Sequence, residues 1–139
     1  MNSRSFQQMS IVHHVSAVSA TEEDWGWQVA IGDRALSERA PYLLVQLSRA
    51  PTEQDRQLGH DQPYVEINDQ RWSWYGQVKR VALSRTELQL SLGALAQAQL
   101  GNDGEFVFRL ELSPPEHEHL ASVLARIFVG HPAYTEIAA

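Results

Sequence analysis

Apolar and polar residues alternate along much of the chain at the period of two that is typical of half-buried strands. The clearest run covers residues 64–92, which we interpret as three consecutive strands in an antiparallel meander. Ser84-Arg85-Thr86 is a short polar break and predicts the hairpin turn between the last two strands. Val78 and Val81 lie an odd number of residues apart, so both can face the core only if the strand bulges near Lys79-Arg80.

Four further runs with the same alternation predict strands outside this stretch. The first run is Ile11–Val18 and the third is Tyr42–Ser48. The second has Trp25, Trp27, Val29 and Ile31 on one face, and the fourth has Phe106, Phe108, Leu110 and Leu112 on one face. The alternation assigns both Trp25 and Trp27 to the core. Residues 1–8 have no period and predict a loose leader, and residues 50–63 predict an exposed, mobile loop.

Two segments have the signals of helices. A short helix is predicted from Ala94 to Leu100, closed by Gly101. A long C-terminal helix starts at Ser113-Pro-Pro-Glu116, which has the residues of a capping box, and ends before Gly130 and Pro132. One apolar stripe follows this helix: Leu120, Val123, Leu124, Ile127 and Phe128. We therefore predict an α+β fold, with a mostly antiparallel sheet of about seven strands and the long helix packed on it.

Composition narrows the class of protein. With 139 residues, of which 43% are hydrophobic and 20% charged, the chain predicts one soluble domain over residues 1–139. The absence of cysteine excludes disulfides and thiolate chemistry. A formal net charge of −6 disfavours binding to nucleic acid and favours a basic partner.

Localisation is inferred from the missing targeting signals. Ala17-Val18-Ser19-Ala20 has the small residues of a signal-peptide cleavage site, but His13-His14 interrupts the apolar segment before it. No run of residues is long and apolar enough to span a bilayer. We therefore expect a cytoplasmic protein that does not associate with membranes.

No catalytic or metal-binding motif is present in the sequence. The pairs His13-His14 and His117-Glu118-His119 lack the spacing of a ligand set, so no metal or other cofactor is expected, and the two helix histidines are predicted to face solvent. Glu66 and Asp69 are the one carboxylate pair that suggests acid–base chemistry, although acids beside a turn are more often solvated or ion-paired.

Trp72, Trp74 and Tyr75 form the densest aromatic group of the chain and lie next to Gly76. Large aromatic residues beside a turn are harder to bury than those in mid-strand, and they are enriched at binding hot spots. The alternative is that at least one tryptophan closes the end of the core. Together with Glu66 and Asp69, these three residues are the predicted partner-binding residues.

The order of several short motifs resembles the tenth immunity-protein family of bacterial polymorphic toxin systems. The resemblance covers residues 42–128 and rests on Tyr42-Leu43-Leu44-Val45-Gln46, Tyr64-Val65-Glu66-Ile67-Asn68-Asp69-Gln70, Tyr75-Gly76, Val81-Ala82-Leu83-Ser84, Leu88-Gln89-Leu90-Ser91-Leu92 and the two helices. The tryptophan at position 74 has no counterpart in that pattern. The resemblance implies a small cytoplasmic, non-catalytic protein that binds and blocks a toxin domain encoded beside it.

Two other classes of function remain open. A small-molecule-binding module would need an apolar pocket between the helix and the sheet. A hydrolase would need Glu66 and Asp69 to converge in a cleft. The sequence leaves open which toxin is bound, which face binds it, whether a homodimer forms, and what the 50–63 loop does.

Overall fold

The computed structural model describes residues 11–33 and 43–137, and it confirms the α+β class. Within these ranges the chain forms ten strands in two sheets rather than about seven in one meander. The strands are β1 (Ile11–Val15), β2 (Ala17–Glu23), β3 (Gly26–Gly32), β4 (Leu43–Ser48), β5 (Tyr64–Ile67), β6 (Asp69–Tyr75), β7 (Val78–Leu83), β8 (Glu87–Leu92), β9 (Glu105–Leu110) and β10 (Tyr134–Glu136). The helices are α1 (Glu53–Gln57), α2 (Ala94–Leu100) and α3 (Pro114–Ile127). The predicted leader, residues 1–8, lies outside the described residues.

The two sheets have five strands each. The first sheet has the order β1-β9-β8-β7-β10, with antiparallel pairs in its centre and a parallel pair at each edge. The second has the order β2-β3-β4-β5-β6 and is antiparallel throughout. Side chains from both sheets and from α3 belong to one hydrophobic core.

Ser16 is the point at which the chain passes from the first sheet to the second. Its N–H donates to the carbonyl of Gly32 at 3.0 Å, and its hydroxyl donates to Asp33 at 3.2 Å. The predicted single strand over Ile11–Val18 was therefore wrong, because the apolar run continues while the chain changes partner strands.

The stretch 64–92 contains four strands rather than three. Asn68, with φ of 63°, separates β5 from β6 in the left-handed conformation that Asn tolerates better than most residues. After β6 the chain leaves the second sheet and starts β7 in the first. The predicted bulge in β7 is confirmed, because the register shifts between Val78 and Arg80 and both Val78 and Val81 are buried.

Helix α3 confirms the strongest local prediction. The Ser113 hydroxyl accepts from the N–H of Glu116, and the Glu116 carboxylate accepts from the N–H of Ser113, which completes the capping box. The helix packs on β2 and β3 and touches β10. Every residue of the predicted stripe is buried: Leu120, Val123, Leu124, Ile127 and Phe128.

Two histidines link α3 to both sheets. The Nε2–H of His117 donates to the carbonyl of Ser84 at 2.7 Å, and the Nε2–H of His119 donates to the carbonyl of Ala20. His119 is exposed to solvent, as predicted, although its ring also makes this bond, whereas His117 is half-buried, so the prediction was wrong for His117 alone. A helical pattern shows which residues leave the apolar stripe but not which carbonyls of distant strands lie within their reach.

Candidate functional site

Trp25 lies on the exposed turn of the β2–β3 hairpin. Glu23 pairs with Gly26, so Asp24 and Trp25 form the turn and the strand alternation starts only after them. Gly26 has φ of +157°, and a Cβ there would come within 2.0 Å of the carbonyl oxygen of Leu47. Trp25, in the turn, is 46% exposed, and its predicted place in the core was wrong.

A cluster of four rings, which we call the aromatic cleft, forms around this turn. It consists of Trp25, His60, Tyr64 and Tyr75, which share a cavity of about 130 Å³ with Gln46, Ser48 and Gln62. The Tyr75 ring stacks on His60 with centroids 4.2 Å apart and packs against Tyr64 at 5.0 Å. Tyr75 is 41% exposed. The cleft therefore presents two large, partly exposed aromatic side chains, of which Tyr75 is held in place by its neighbours.

Helix α1 positions His60. The hydroxyl of Thr52 accepts from the N–H of Asp55, and the Asp55 carboxylate accepts from the N–H of Thr52. The bond from the Thr52 N–H stabilises the ionised carboxylate and is the main reason why the pKa of Asp55 is lowered. After Gly59, whose φ is +78°, the N–H of His60 donates to the Asp55 carbonyl at 2.7 Å. The segment predicted as an irregular loop thus contains a capped helical turn, and its last part supplies one ring of the cleft.

Tyr64 connects the cleft to one of the predicted carboxylates. Its hydroxyl donates to Glu66 at 2.8 Å. Burial, more than the neighbouring Glu66, raises the pKa of Tyr64. Asp69 is placed in the backbone register opposite Ile67, whereas Glu66 lies opposite Ser73. Glu66 does not line any of the three cavities described in this section.

The predicted aromatic group Trp72, Trp74 and Tyr75 is divided between the two faces of β6. Trp74 is only 6% exposed, and its Nε1–H donates to Gln99 of α2 at 2.7 Å. Trp72 is half-buried and packs against the core. Tyr75 alone among them reaches the cleft, because neighbouring residues of a strand point to opposite faces.

A second cavity, which we call the arginine groove, lies on the other side of the second sheet from the cleft. It has a volume of about 450 Å³ and is lined by Trp27, Leu47, Ser48, Arg49, Arg126 and Val129. Trp27 is half-buried against the core, as its strand position predicts. The guanidinium carbons of Arg49 and Arg126 lie 4.6 and 5.2 Å from its ring centroid. Ser48 lines both cavities, but Leu47 packs against the core whereas its neighbour Gln46 lines the cleft, so the groove and the cleft lie on opposite faces of β4.

Arg49 is held in place by the β2–β3 hairpin. Its Nη2 lies 2.8 Å from the Glu22 carboxylate and donates to the Glu23 carbonyl at 3.0 Å. The hydrogen bond from Arg49, and to a smaller extent the charges of Arg49 and Arg126, lower the pKa of Glu22. The Nε1 of Trp27 is buried and has no hydrogen-bond partner among the described residues.

A third cavity, of about 630 Å³, lies where α3 begins. It is lined by Arg85, Thr86, Leu110, Glu111, Leu112, Pro114 and His117. A small-molecule-binding module would have its pocket in this region, between the helix and the sheet.

The histidines do not converge on one point. His13 stacks on Phe108 with centroids 5.4 Å apart, whereas His14 lies 3.6 Å from Glu111. In residues 11–33 and 43–137, no three His, Cys, Asp or Glu side chains are grouped so that they could hold a metal ion. Nor does any helix in these ranges have the length and apolarity to cross a membrane.

Sequence comparison assigns the chain to a family. No curated protein matches it. The family model described as Immunity protein 10 matches residues 13–118, so the match starts well before the resemblance noted over residues 42–128 and ends within the first turns of α3. It covers the last part of β1, all of β2 to β9 and with them every residue of the aromatic cleft. Because the match spans most of the 139 residues, the chain belongs to the Immunity protein 10 family.

Proposed function

We propose that this protein binds a cognate toxin domain of a bacterial polymorphic toxin system in the cytoplasm and neutralises it without catalysis. Membership of the Immunity protein 10 family supports the class of function. The observation that carries the proposal is the aromatic cleft, in which Trp25 and Tyr75 remain 46% and 41% exposed at one cavity. Trp and Tyr are the residues most often found as energetic anchors of protein interfaces.

The cleft is suited to bind a protein because one of its two exposed rings, Tyr75, is already ordered. Tyr75 is held between His60 and Tyr64, so little side-chain entropy is lost when a partner covers it. Glu66, bound by Tyr64, adds a carboxylate next to the cleft. The net charge of −6 would speed the encounter with a basic toxin domain.

The other predicted binding residues take secondary roles in this proposal. Trp72 and Trp74 pack towards the core on the opposite face of β6 and support the strand that carries Tyr75. Asp69 starts the same strand and is proposed to add to the acidic field that the partner meets.

Protection from the toxin tests the proposal. The toxin domain encoded in the neighbouring reading frame would be expressed with and without this protein, and both growth and copurification would be measured. We expect the protein to restore growth and to copurify with the toxin domain. If it neither protects the cells nor forms a complex, the proposed function is wrong.

Stoichiometry separates a binding mechanism from an enzymatic one. A non-catalytic inhibitor abolishes toxin activity in vitro only when it is present at about one copy per toxin, whereas an enzyme would do so at far lower ratios. Glu66→Gln and Asp69→Asn variants should keep the wild-type stoichiometry, because no proton transfer is assigned to either carboxylate. If the wild-type protein inhibits the toxin at a small fraction of the toxin concentration, and both variants lose this inhibition, the result would support the hydrolase instead.

One observation favours the small-molecule alternative. The cavity of about 630 Å³ at the start of α3 has the size of a ligand pocket and combines Leu110, Leu112 and Pro114 with polar side chains. A metabolite that binds there would raise the melting temperature, and the rise would increase with ligand concentration and affinity. A thermal-shift screen of a metabolite library measures this directly, and a saturable rise in the absence of any toxin would favour this alternative.

A further inference from the structure

We propose, on the basis of the function above, that the aromatic cleft receives one basic side chain, a Lys or an Arg, of the bound toxin domain. The cleft lies on the face of the second sheet that is turned away from the core, since Val65 is fully buried whereas its strand neighbour Tyr64 lines the cleft. Its volume of about 130 Å³ is well below the roughly 300–1,000 Å³ of sites for whole small molecules, so it suits a single side chain.

The lining of the cleft contains no fixed cation. None of the seven described residues that line it is Lys or Arg, and its polar groups are hydroxyls, amides and one imidazole. Arg49 follows Ser48 in the chain but is turned to the opposite side of the sheet. There its guanidinium carbon lies 4.6 Å from the Trp27 ring centroid, and its Nη2 lies 2.8 Å from Glu22. A basic side chain of a partner would therefore meet no lysine or arginine in the cleft.

Acidic side chains border the same cleft. Glu66 accepts a hydrogen bond from the Tyr64 hydroxyl at 2.8 Å. Asp24 precedes Trp25 in the hairpin turn and is exposed, and Asp61, also exposed, lies in the chain between two residues that line the cleft. Carboxylates at the border, in a protein whose net charge is −6, favour a positively charged occupant over an acidic one.

Trp25 supplies an aromatic face to which a cation can bind. Its side chain is 46% exposed, and no ring of a described residue stacks on it, whereas one face of Tyr75 is covered by His60. The Trp25 carbonyl accepts from the N–H of Arg49 at 2.8 Å, which ties the backbone of the turn to the end of β4. Among aromatic side chains, tryptophan attracts a cation most strongly, because the face of its ring system is negative.

Gln46 supplies a hydrogen-bond acceptor in the lining. Its amide nitrogen donates to Gln28 at 2.5 Å, which leaves its carbonyl oxygen to accept from an ammonium or a guanidinium group. Lys and Arg also have aliphatic stems, which pack along aromatic rings while their charged ends bind polar groups. One basic side chain would therefore contact the rings, the amide oxygen and the field of the bordering carboxylates together.

The experiment measures how fast the neighbouring toxin domain dissociates from Trp25→Leu and Trp25→Phe variants, with melting temperatures measured in parallel. Leucine keeps an apolar side chain in the turn but has no aromatic face, whereas phenylalanine keeps such a face. We expect Trp25→Leu to raise the dissociation rate about tenfold and Trp25→Phe to raise it less. Val129→Ala is the control, because Val129 is 73% exposed at the arginine groove on the other side of the sheet. This control should dissociate at the wild-type rate.

A double-mutant cycle then identifies the basic residue. Each Lys and Arg of the toxin domain would be changed to Met and combined with Trp25→Leu, and one of these pairs should be non-additive, whereas the same toxin variants combined with Val129→Ala should all be additive. The proposed contact is refuted if Trp25→Leu dissociates like the wild type, or if no basic toxin residue couples to Trp25. A wild-type complex that still forms and protects leaves the proposed function intact in that case. If the wild type forms no complex and gives no protection, the proposed function fails and this contact fails with it.

Discussion

Replacing Leu124 by Ala tests how α3 is docked. Leu124 is 1% exposed and lies in the stripe that α3 packs on β2 and β3. Removing its outer methyl groups loses roughly 1.5–3 kcal/mol of burial free energy, and the cavity left behind adds to this loss. We therefore expect the free energy of unfolding to fall by about 2–5 kcal/mol.

Leu95→Ala is the matched control for this measurement. Leu95 lies in α2 and is 53% exposed, so the same chemical change there should cost no more than about 0.5 kcal/mol. Leu and Ala are both good helix formers, and the difference between the two variants therefore reports burial. Urea unfolding followed by circular dichroism measures both, with an unchanged m-value as the sign that the unfolding transition is the same.

The outcome that would refute this reasoning is equal stability of the two variants. If Leu124→Ala cost as little as Leu95→Ala, α3 would not be held by its apolar stripe, and its capping box and histidine bonds would be its main attachments.

Two further predictions concern the backbone and pH. Gly26→Ala should destabilise the protein by more than about 1 kcal/mol, because the Cβ of the alanine would lie 2.0 Å from the Leu47 carbonyl oxygen. The substitution should also change the fluorescence of Trp25. A Gly26→Ala variant as stable in urea as the wild type would contradict this prediction. Burial lowers the pKa of His13, so the unfolded chain takes up that proton first as the pH falls below about 6.5, and stability should decrease with it. His13→Phe should remove this part of the pH dependence, whereas the exposed control His14→Gln should keep it. The measurement is the loss of unfolding free energy between pH 7.5 and pH 5.5 in each variant. If both variants lose the same amount, the reasoning fails.

Features set by neighbouring residues were predictable from the sequence. The capping box of α3, the Gly101 cap of α2 and the bulge in β7 each depend on a few adjacent residues whose side chains or backbone preferences require that geometry. The β7–β8 hairpin at Ser84 belongs to the same group.

Features that depend on distant partners were missed. The apolar run through Ser16 does not show that the chain changes sheets there, and the short strand β10 exists because it pairs in parallel with β7. Both depend on which strands become neighbours, which no local pattern encodes.

The candidate site was predictable only in part. Tyr75 was identified, whereas Trp25 was assigned to the core because it continues the alternation of β3 into the turn. Trp72 and Trp74 are two residues apart, a spacing that indicates one face of a strand, but their proximity to Gly76 favoured a turn. His60 carried no sequence signal, since only the fold brings it onto Tyr75.

The dissociation rate of the toxin complex tests the central claim, that the aromatic cleft is the surface that binds the toxin. Tyr75→Ala, Trp25→Ala and the control Leu95→Ala would be compared with the wild type, with melting temperatures measured in parallel. We expect each cleft variant to dissociate about thirtyfold faster, equivalent to about 2 kcal/mol, without a matching loss of stability, and Leu95→Ala to dissociate at the wild-type rate. Equal dissociation rates for all four proteins would place the interface elsewhere and contradict the account.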